Sequence, residues 1–427
     1  MLEKNEFERI QEELRKRTVE ILNLTEEVRD EKVYEVIDQV IVQYRKEQYL
    51  SLGQMQKLRK NLFNSIRRLD VLQELLERDD ITEIMLNGYQ KIFVEKEGKI
   101  LQWEEGFSSK EKFHDVIQQI VSGANRVVNE ASPIVDARLL DGSRVHVVLE
   151  PISLDGSAVT IRKFSKEAMG MEKLIEFGAL DQTMAHVLEL FVKSGMNIFI
   201  SGGTGSGKTT FLNALSSYIE EDKRVVTIED SAELHLMNLK NLVRLESRNA
   251  NLEGNRAITI RNLLKASLRM RPDFIVIGEI RGEEALDLLQ ALNTGHSGFS
   301  TGHANSAKDM LSRIETMVLM GMEMPLLAIR AQIASAIDLI VHLGRLRDRS
   351  RKVLEILELN GMKDGEIQMN PLFQFEEMDQ IDGVIKGRWN QIGQLKHREK
   401  LELAGYFSEY EKLSDQERTR CEEEKRE

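Results

Sequence analysis

Gly202-Gly203-Thr204-Gly205-Ser206-Gly207-Lys208-Thr209 follows the pattern G-x-x-x-x-G-K-[ST]. Glycines at this spacing let the backbone wrap closely, so successive N–H groups can point inward at phosphate oxygens. Lys208 can reach the β- and γ-phosphates as a flexible point charge, and the Thr209 hydroxyl can bind Mg²⁺. The nucleotide-binding set read from the sequence is therefore Gly202, Gly203, Thr204, Gly205, Ser206, Gly207, Lys208, Thr209 and Thr210. The context agrees. The apolar run Ile198-Phe199-Ile200 precedes the motif, and Leu212, Leu215 and Ile219 mark one face of a helix after it. Strand, loop and helix in that order add the partial positive charge of the helix N-terminus to the site.

Carboxylates follow at the ends of two further apolar runs. Ile275-Val276-Ile277-Gly278-Glu279 ends in an acid about 70 residues past the phosphate loop. Gly278 stands where such loops often carry aspartate, so Glu279 is left to orient the attacking water or to hold the magnesium shell. Thr227-Ile228-Glu229-Asp230, with Glu233 beyond, is the second acidic end. Several carboxylates beside a triphosphate would repel it unless they faced Mg²⁺ or a water. Glu229 is read in that role, which makes the expected metal set Thr209, Glu229 and Glu279. Asp230 and Ser231 could instead cap a following helix. Two histidines, His296 in Thr294-Gly295-His296-Ser297-Gly298 and His303 in Thr301-Gly302-His303-Ala304-Asn305, stand seven residues apart. They lack the further ligands a zinc site needs, and the lone cysteine, Cys421, lies in a charged tail. A phosphate-sensing role fits their place after a third strand-and-helix unit.

The elements that must hold these groups can be read from pattern. Apolar runs at 198–200, 225–228 and 274–277, separated by helical stretches, predict a parallel sheet covered by helices across about 182–345, in a domain that runs on as a C-terminal extension to 390. Ligands bind at the carboxyl ends of strands in such sheets. Upstream, residues 58–165 read as a small α+β domain. Its expected strands are at Ile92–Val94, Val145–Leu149 and Ala158–Phe164, with a helix through Phe113, Val116, Ile117, Ile120 and Val121 and a turn at Asp141-Gly142. Residues 166–181 read as the connection. Residues 1–57 read as a helical segment in which Val33, Val36, Ile37, Val40, Ile41 and Tyr44 form an apolar stripe. That stripe is expected to dock on the next domain or on a partner subunit. Residues 391–427 read as a charged tail, solvated helix or disordered, with 12 charged side chains in its last 17 residues.

Composition bounds the rest. In 427 residues there are 59 Lys+Arg against 71 Asp+Glu, a net charge of −12, which disfavours a protein that coats nucleic acid. No apolar run approaches the ~18 residues of a membrane span, and the start, MLEKNEFERI, lacks the apolar core of a signal peptide. A cytosolic location follows as an expectation. No N-K-x-D base-reading motif or L-S-G-G-Q-like signature is present, so a GTPase and an ABC-type ATPase are both disfavoured.

Taken together, residues 60–375 resemble the secretion-ATPase superfamily that powers type II and type IV secretion and type IV pili. Four ordered boxes carry the resemblance: 202–209, VVTIEDSAEL (225–234), RPDFIVIGEIRG (271–282) and TGHSGFSTGHANS (294–306). SLRMRPDFIVIGEIRG, STGHANSAKDMLSRIETM and ITEIMLNGYQKIFVEKEGKI look closest to the CpaF-like branch, the Tad/Flp pilus assembly ATPases. The resemblance implies a RecA-like P-loop domain preceded by the α+β domain, and a homohexameric ring. It implies ATP and Mg²⁺ as ligands, and an inner-membrane platform protein as the partner that brings the ring to the cytoplasmic face of the membrane. It also assigns Arg144 in LLDGSRVHV and Arg162 in VTIRKF to the triphosphate, with Arg138 a weaker candidate. A guanidinium there can stabilise charge on the γ-phosphate, an effect of ~10³–10⁵ in rate. The expected catalytic set is thus Glu279, Glu229, Lys208, Arg144, Arg162, His296 and His303. The four-cysteine zinc element of many type II and pilus-extension ATPases cannot form with one cysteine. A type IV secretion ATPase and a nucleotide-switched scaffold that does not hydrolyse are the alternative functions.

Overall fold

The structure, a computed structural model, describes residues 4–22, 28–96, 98–164, 169–236, 238–248 and 257–424. The chain divides into two compact units, Met1–Lys166 and Glu167–Glu427.

In the first unit, helices α1 (Lys4–Leu22), α2 (Asp30–Glu47) and α3 (Leu52–Arg67) share one core. The α2 stripe Val33, Val36, Ile37, Val40, Ile41 and Tyr44 is wholly buried, and it packs with Ile10, Leu14, Leu58 and Leu62 of its own unit. Helix α3 starts at a capping box: Ser51 Oγ accepts from the Gln54 N–H, and the Gln54 side chain accepts from the Ser51 N–H. Helix α4 (Val71–Glu77) then leads to strands β1 (Ile81–Asn87), β2 (Ile92–Lys96) and β3 (Lys99–Trp103), helix α5 (Lys110–Gly123), and strands β4 (Ile134–Arg138), β5 (Arg144–Val148) and β6 (Ala158–Arg162). The sheet order is β3-β2-β1-β6-β5-β4, with every pair antiparallel. Phe113, Val116, Ile117, Ile120 and Val121 of α5 are buried in one core with Ile84, Val145, Val147 and Ile161. Asp141-Gly142 turns β4 into β5, and Gly142 holds φ +93°, a conformation that glycine adopts without strain.

The second unit begins with α6 (Met171–Glu176) and α7 (Gln182–Lys193), then β7 (Ile198–Gly202), α8 (Lys208–Ser216), β8 (Arg224–Glu229), β9 (Asn241–Glu246), α9 (Ile260–Ser267), β10 (Phe274–Ile277), α10 (Glu284–Asn293) and β11 (Ser297–His303). It continues through α11 (Ala307–Gly321), α12 (Leu326–Ala336), β12 (Leu339–Arg345), β13 (Arg351–Lys363), β14 (Glu366–Ile381), β15 (Val384–Gln391), α13 (Glu399–Ala404) and α14 (Phe407–Glu424). Nine strands form one sheet in the order β15-β14-β13-β12-β7-β11-β10-β8-β9. The six from β12 to β9 run parallel, and β13, β14 and β15 extend the sheet as antiparallel hairpins. The fold is the expected α/β class with a RecA-like parallel sheet.

Side chains alternate between two cores across that sheet. Ile198 and Ile200 of β7 face one core, and Phe199 faces the other. On β10, Phe274 and Val276 face the first core, Ile275 and Ile277 the second. A strand covered on both faces has no polar face, which is why these segments read as unbroken apolar runs. The charged tail also joins the core. Leu401 and Tyr410 are buried, and the Tyr410 ring lies 5.6 Å from that of Phe191 on α7. Their apolar positions are too sparse to stand out among so many charges. Among the described residues no single helix is long and apolar enough to cross a membrane.

Candidate active site

The four groups that matter most stand at the carboxyl ends of four adjacent parallel strands. In spatial order β7, β11, β10, β8, these ends carry the phosphate loop, His303, Glu279 and Glu229. Register fixes their level, since His303 pairs with Gly202 and Ile277 with Ile228. At ~4.8 Å between strands, the row is narrow enough to serve one triphosphate.

The phosphate loop is shaped by glycine. Gly205 and Gly207 hold φ +71° and +93°, and Gly207 immediately precedes α8. At Gly202 a Cβ would lie 2.5 Å from the Leu343 carbonyl and 2.6 Å from Ser206 Oγ, so no larger residue fits. Lys208, Thr209 and Thr210 form the first turn of α8, where unpaired N–H groups favour an anion. Lys208 is 7% exposed. Its ammonium donates to the carbonyls of Gly202 (3.1 Å) and Gly203 (2.9 Å) and lies 3.2 Å from His303 Nδ1. Burial lowers the Lys208 pKa, while the charge of Glu279 opposes that shift.

His303 continues the chain of contacts, with Nε2 3.3 Å from Glu279 Oε1. Burial and then the charge of Lys208 hold its ring below the ordinary imidazole range. Glu279 Oε2 accepts from Arg281 at 2.8 Å, and the same guanidinium stands 3.5 Å from Asp230. The backbone beneath Glu279 is pinned to β11: Thr301 Oγ1 donates to the Gly278 carbonyl at 2.7 Å, and the Ile280 N–H to the Thr301 carbonyl at 3.0 Å.

Glu229 is 2% exposed. Its Oε1 accepts from the N–H groups of Glu233 (2.8 Å) and Leu234 (3.0 Å), while Oε2 has no hydrogen-bond partner among the described residues. Burial raises its pKa, and the two backbone bonds oppose that shift. A Cβ at Gly278 would lie 3.1 Å from Glu229 Cγ, so the glycine that replaces the usual acid leaves room for the neighbouring one. No helix follows Asp230 and Ser231, so the capping alternative falls. Asp230 accepts from Ser247 Oγ at 2.9 Å instead.

His296 is not gathered with the others. Ser297–His303 is a strand, so the two histidines stand at its opposite ends. His296 Nδ1 lies 3.1 Å from the Ala291 carbonyl, in the turn after α10, remote from this chain's own phosphate loop. Arg144 and Arg162 belong to the first unit, where Arg138, Arg144 and Arg162 occupy one register across β4, β5 and β6. On the far side of β6, Glu83 of β1 stands opposite Arg162, so the row ends on an acidic neighbour.

Several residues around the loop escaped sequence reasoning. A cleft of about 490 Å³ beside Gly203, Thr204 and His303 is walled by Asn305, Asp309 and Arg313 of the following loop and α11. Across the loop, Arg351 Nε donates to the Gly205 carbonyl at 2.8 Å. Arg281 had a signal, two residues beyond Glu279. Arg313 and Arg351 had none, because helix and strand geometry alone brings them here.

A P-loop with a buried lysine, a carboxylate past the adjoining strands and an unsatisfied carboxylate oxygen define a nucleotide-binding α/β protein. The family profile described as Type II/IV secretion system protein matches residues 67–394, more than half of the chain. The chain belongs to that family of secretion ATPases. It is 32% identical over 313 residues to the conjugal transfer protein TrbB of Rhizobium radiobacter, covering 72% of this chain and 93% of that one. It is likewise 32% identical over 325 residues to the type IV secretion system protein PtlH of Bordetella pertussis, covering 69% and 95%. Among solved structures, the VirB11 ATPase of the Brucella suis type IV secretion system is 26% identical. It covers 67% of this chain and 92% of that one, at a TM-score of 0.38.

Proposed function

We propose that this chain is a Mg²⁺-dependent ATPase of the CpaF-like, Tad/Flp type. It works as a homohexamer on the cytoplasmic face of the membrane, where it drives pilus assembly through an inner-membrane platform protein. The observation that carries the enzymatic part is the continuous contact from Lys208 through His303 to Glu279 at the carboxyl ends of adjacent strands. Thr209, Glu229 and Glu279 would hold Mg²⁺, a fit supported by the unpartnered buried Oε2 of Glu229. Such ions take one or two carboxylates and otherwise phosphate and water. Bound there, Mg²⁺ supplies positive charge against the β- and γ-phosphates.

The chain's own groups divide the work. Lys208 neutralises phosphate charge, and Glu279 orients or activates the water in line with the γ-phosphate. His303 holds a neutral ring between them, and Glu229 assists from the next strand. Arg144 and Arg162 have the charge-stabilising role that the family resemblance gives them. The pilus assignment rests on the near-verbatim family segments around Glu279 and His303. The likeness to TrbB and PtlH favours a second reading, a type IV secretion ATPase.

The test is the ATPase rate of purified protein over a concentration series, with mass followed by light scattering. Specific activity that climbs as a six-subunit species forms supports the ring motor. Turnover by a monomer, independent of concentration, keeps the ATPase and removes the ring. Nucleotide binding without turnover in any assembled state, with or without the platform protein, leaves a nucleotide-switched scaffold.

A further inference from the structure

A row of polar side chains lies beside the phosphate loop and takes no direct part in the contacts among Lys208, His303 and Glu279. His342 on β12 pairs in register with Ser201 on β7 and with Glu355 on β13. Residues directly opposite across neighbouring strands share a face of the sheet. Here it is the face that Phe199, Ile340 and Leu357 turn to the second core. Ser201 is fully buried and His342 is 5% exposed. In such a place a polar group without partners would be costly.

Each member of the row holds backbone or a neighbour. Ser201 Oγ and His342 Nδ1 are 2.8 Å apart. The backbone of Asn305 also hydrogen-bonds the ring, and it favours the protonated form, as a carbonyl acceptor does. With its N–H turned to the Asn305 backbone, the neutral ring leaves Nδ1 to accept a hydrogen bond from the Ser201 hydroxyl. Glu355 Oε1 accepts from the Ala307 N–H at 3.1 Å. The row thus grips the 303–307 segment at two points just beyond His303, and it grips β7 one residue before Gly202. Burial keeps the ring neutral, against the nearby charges of Glu355 and Asp309 and with that of Lys208.

We infer that His342 is a positioning residue: with Ser201 and Glu355 it sets the 303–307 segment against the phosphate loop, and so places His303 between Lys208 and Glu279. The inference rests on the reading of His303 as part of the phosphate site. It gives a reason for a buried histidine where an apolar residue would pack as well. A ring with one donor and one acceptor can tie two loops together at fixed spacing, and a methyl group cannot.

The experiment compares wild type, His342→Leu, His342→Gln, His303→Ala and the double variant His342→Leu/His303→Ala, all as full chains. His342→Leu should lower kcat about tenfold or more, with the ATP KM changed by less than about twofold. Glutamine can both accept and donate, so His342→Gln should keep most of the activity. In the His303→Ala background, His342→Leu should cost nothing further, because two changes in one chain of contacts do not add. An equal loss in that background, a glutamine variant as poor as the leucine one, or no loss at all would overturn the proposal. Should His342→Leu fail to fold, Ser201→Ala takes its place in the same comparison.

A second readout needs no turnover. In protein labelled with ¹⁵N-histidine, the ring signals of His303 should report a single Nε2–H tautomer in wild type and His342→Gln, and a mixture in His342→Leu. Unchanged His303 signals in His342→Leu would refute the positioning role. Absence of hydrolysis by wild type would remove the ATPase reading alone, since the ring signals would still decide this one.

Discussion

The Nζ of Lys208 lies 3.2 Å from Nδ1 of His303, and the other nitrogen of that ring faces Glu279 at 3.3 Å. An ammonium can only donate, so Nδ1 accepts and the proton sits on Nε2, directed at the carboxylate. One neutral imidazole thereby joins the phosphate-loop lysine to the acid beyond β10. A protonated ring would set two cations against each other, so the arrangement itself selects the neutral form.

Lys208→Ala should abolish ATP turnover. The lysine is the buried cation of the loop and the partner that fixes His303, so its loss removes charge and geometry together. Steady-state phosphate release would fall by ~10² or more. Turnover within a factor of a few of wild type would take Lys208 out of the site.

Glu279→Gln should bind nucleotide as wild type does and fail to hydrolyse it. The amide keeps the size and an acceptor for Arg281 but loses the charge that orients or activates water. A fall of ~10²–10⁴ in single-turnover rate with unchanged affinity is expected. Continued hydrolysis would remove Glu279 from the catalytic set.

Protonation of His303 should shut the site. Its folded pKa is lowered, by burial first and then by Lys208. The stabilisation from the neutral ring is therefore present above the unfolded value of ~6.5 and is lost as pH falls through the folded value. Turnover should be level between pH 7 and 8 and decline on an acid limb below ~6.5. His303→Gln should lose that limb along with most of the rate.

Glu229 shifts the other way. Burial raises its pKa, so the stability linked to it is present below the unfolded value of ~4.3 and is lost as pH rises through the folded value. Glutamine at this position does not titrate. Calorimetry should show the melting temperature of wild type falling relative to Glu229→Gln as pH goes from 5 to 8, while the variant turns over more slowly. A constant difference across that range would mean that the carboxylate has no shifted pKa.

Gly278→Ala tests the fit between the two acidic strand ends. The new methyl would lie 3.1 Å from Glu229 Cγ, and Glu229 is held by two backbone N–H groups and cannot easily move. A loss of ~1–3 kcal/mol in stability and a lower rate are expected. An alanine variant as stable and active as wild type would show slack at this contact.

Local chemistry made much of this site legible in the sequence. The phosphate loop is a contiguous backbone device, so its glycines, Lys208 and Thr209 announce it at fixed spacing, and the buried strands before it and before Glu279 stand out as apolar runs. The helix of residues 30–47 and the helix at 110–123 were equally plain, because their stripes have the period of a helix and little else competes. Strands β13 to β15 were not legible. They lie at the end of the sheet, alternate irregularly past bulges, and carry enough charge to resemble loop.

What the sequence by itself determined is the kind of chemistry: a triphosphate cradle, two acidic strand ends and two histidines within reach in chain order. What only the tertiary structure decided is which of them meet. Strand order β7-β11-β10-β8 sets His303 between Lys208 and Glu279, and the direction of β11 carries His296 to the far end of the sheet. The same crossings bring His342, some 140 residues away in the chain, to 2.8 Å from Ser201. Motif spacing records what neighbours along the backbone can do, whereas contacts between strands depend on the order in which a sheet is assembled, which no local pattern encodes.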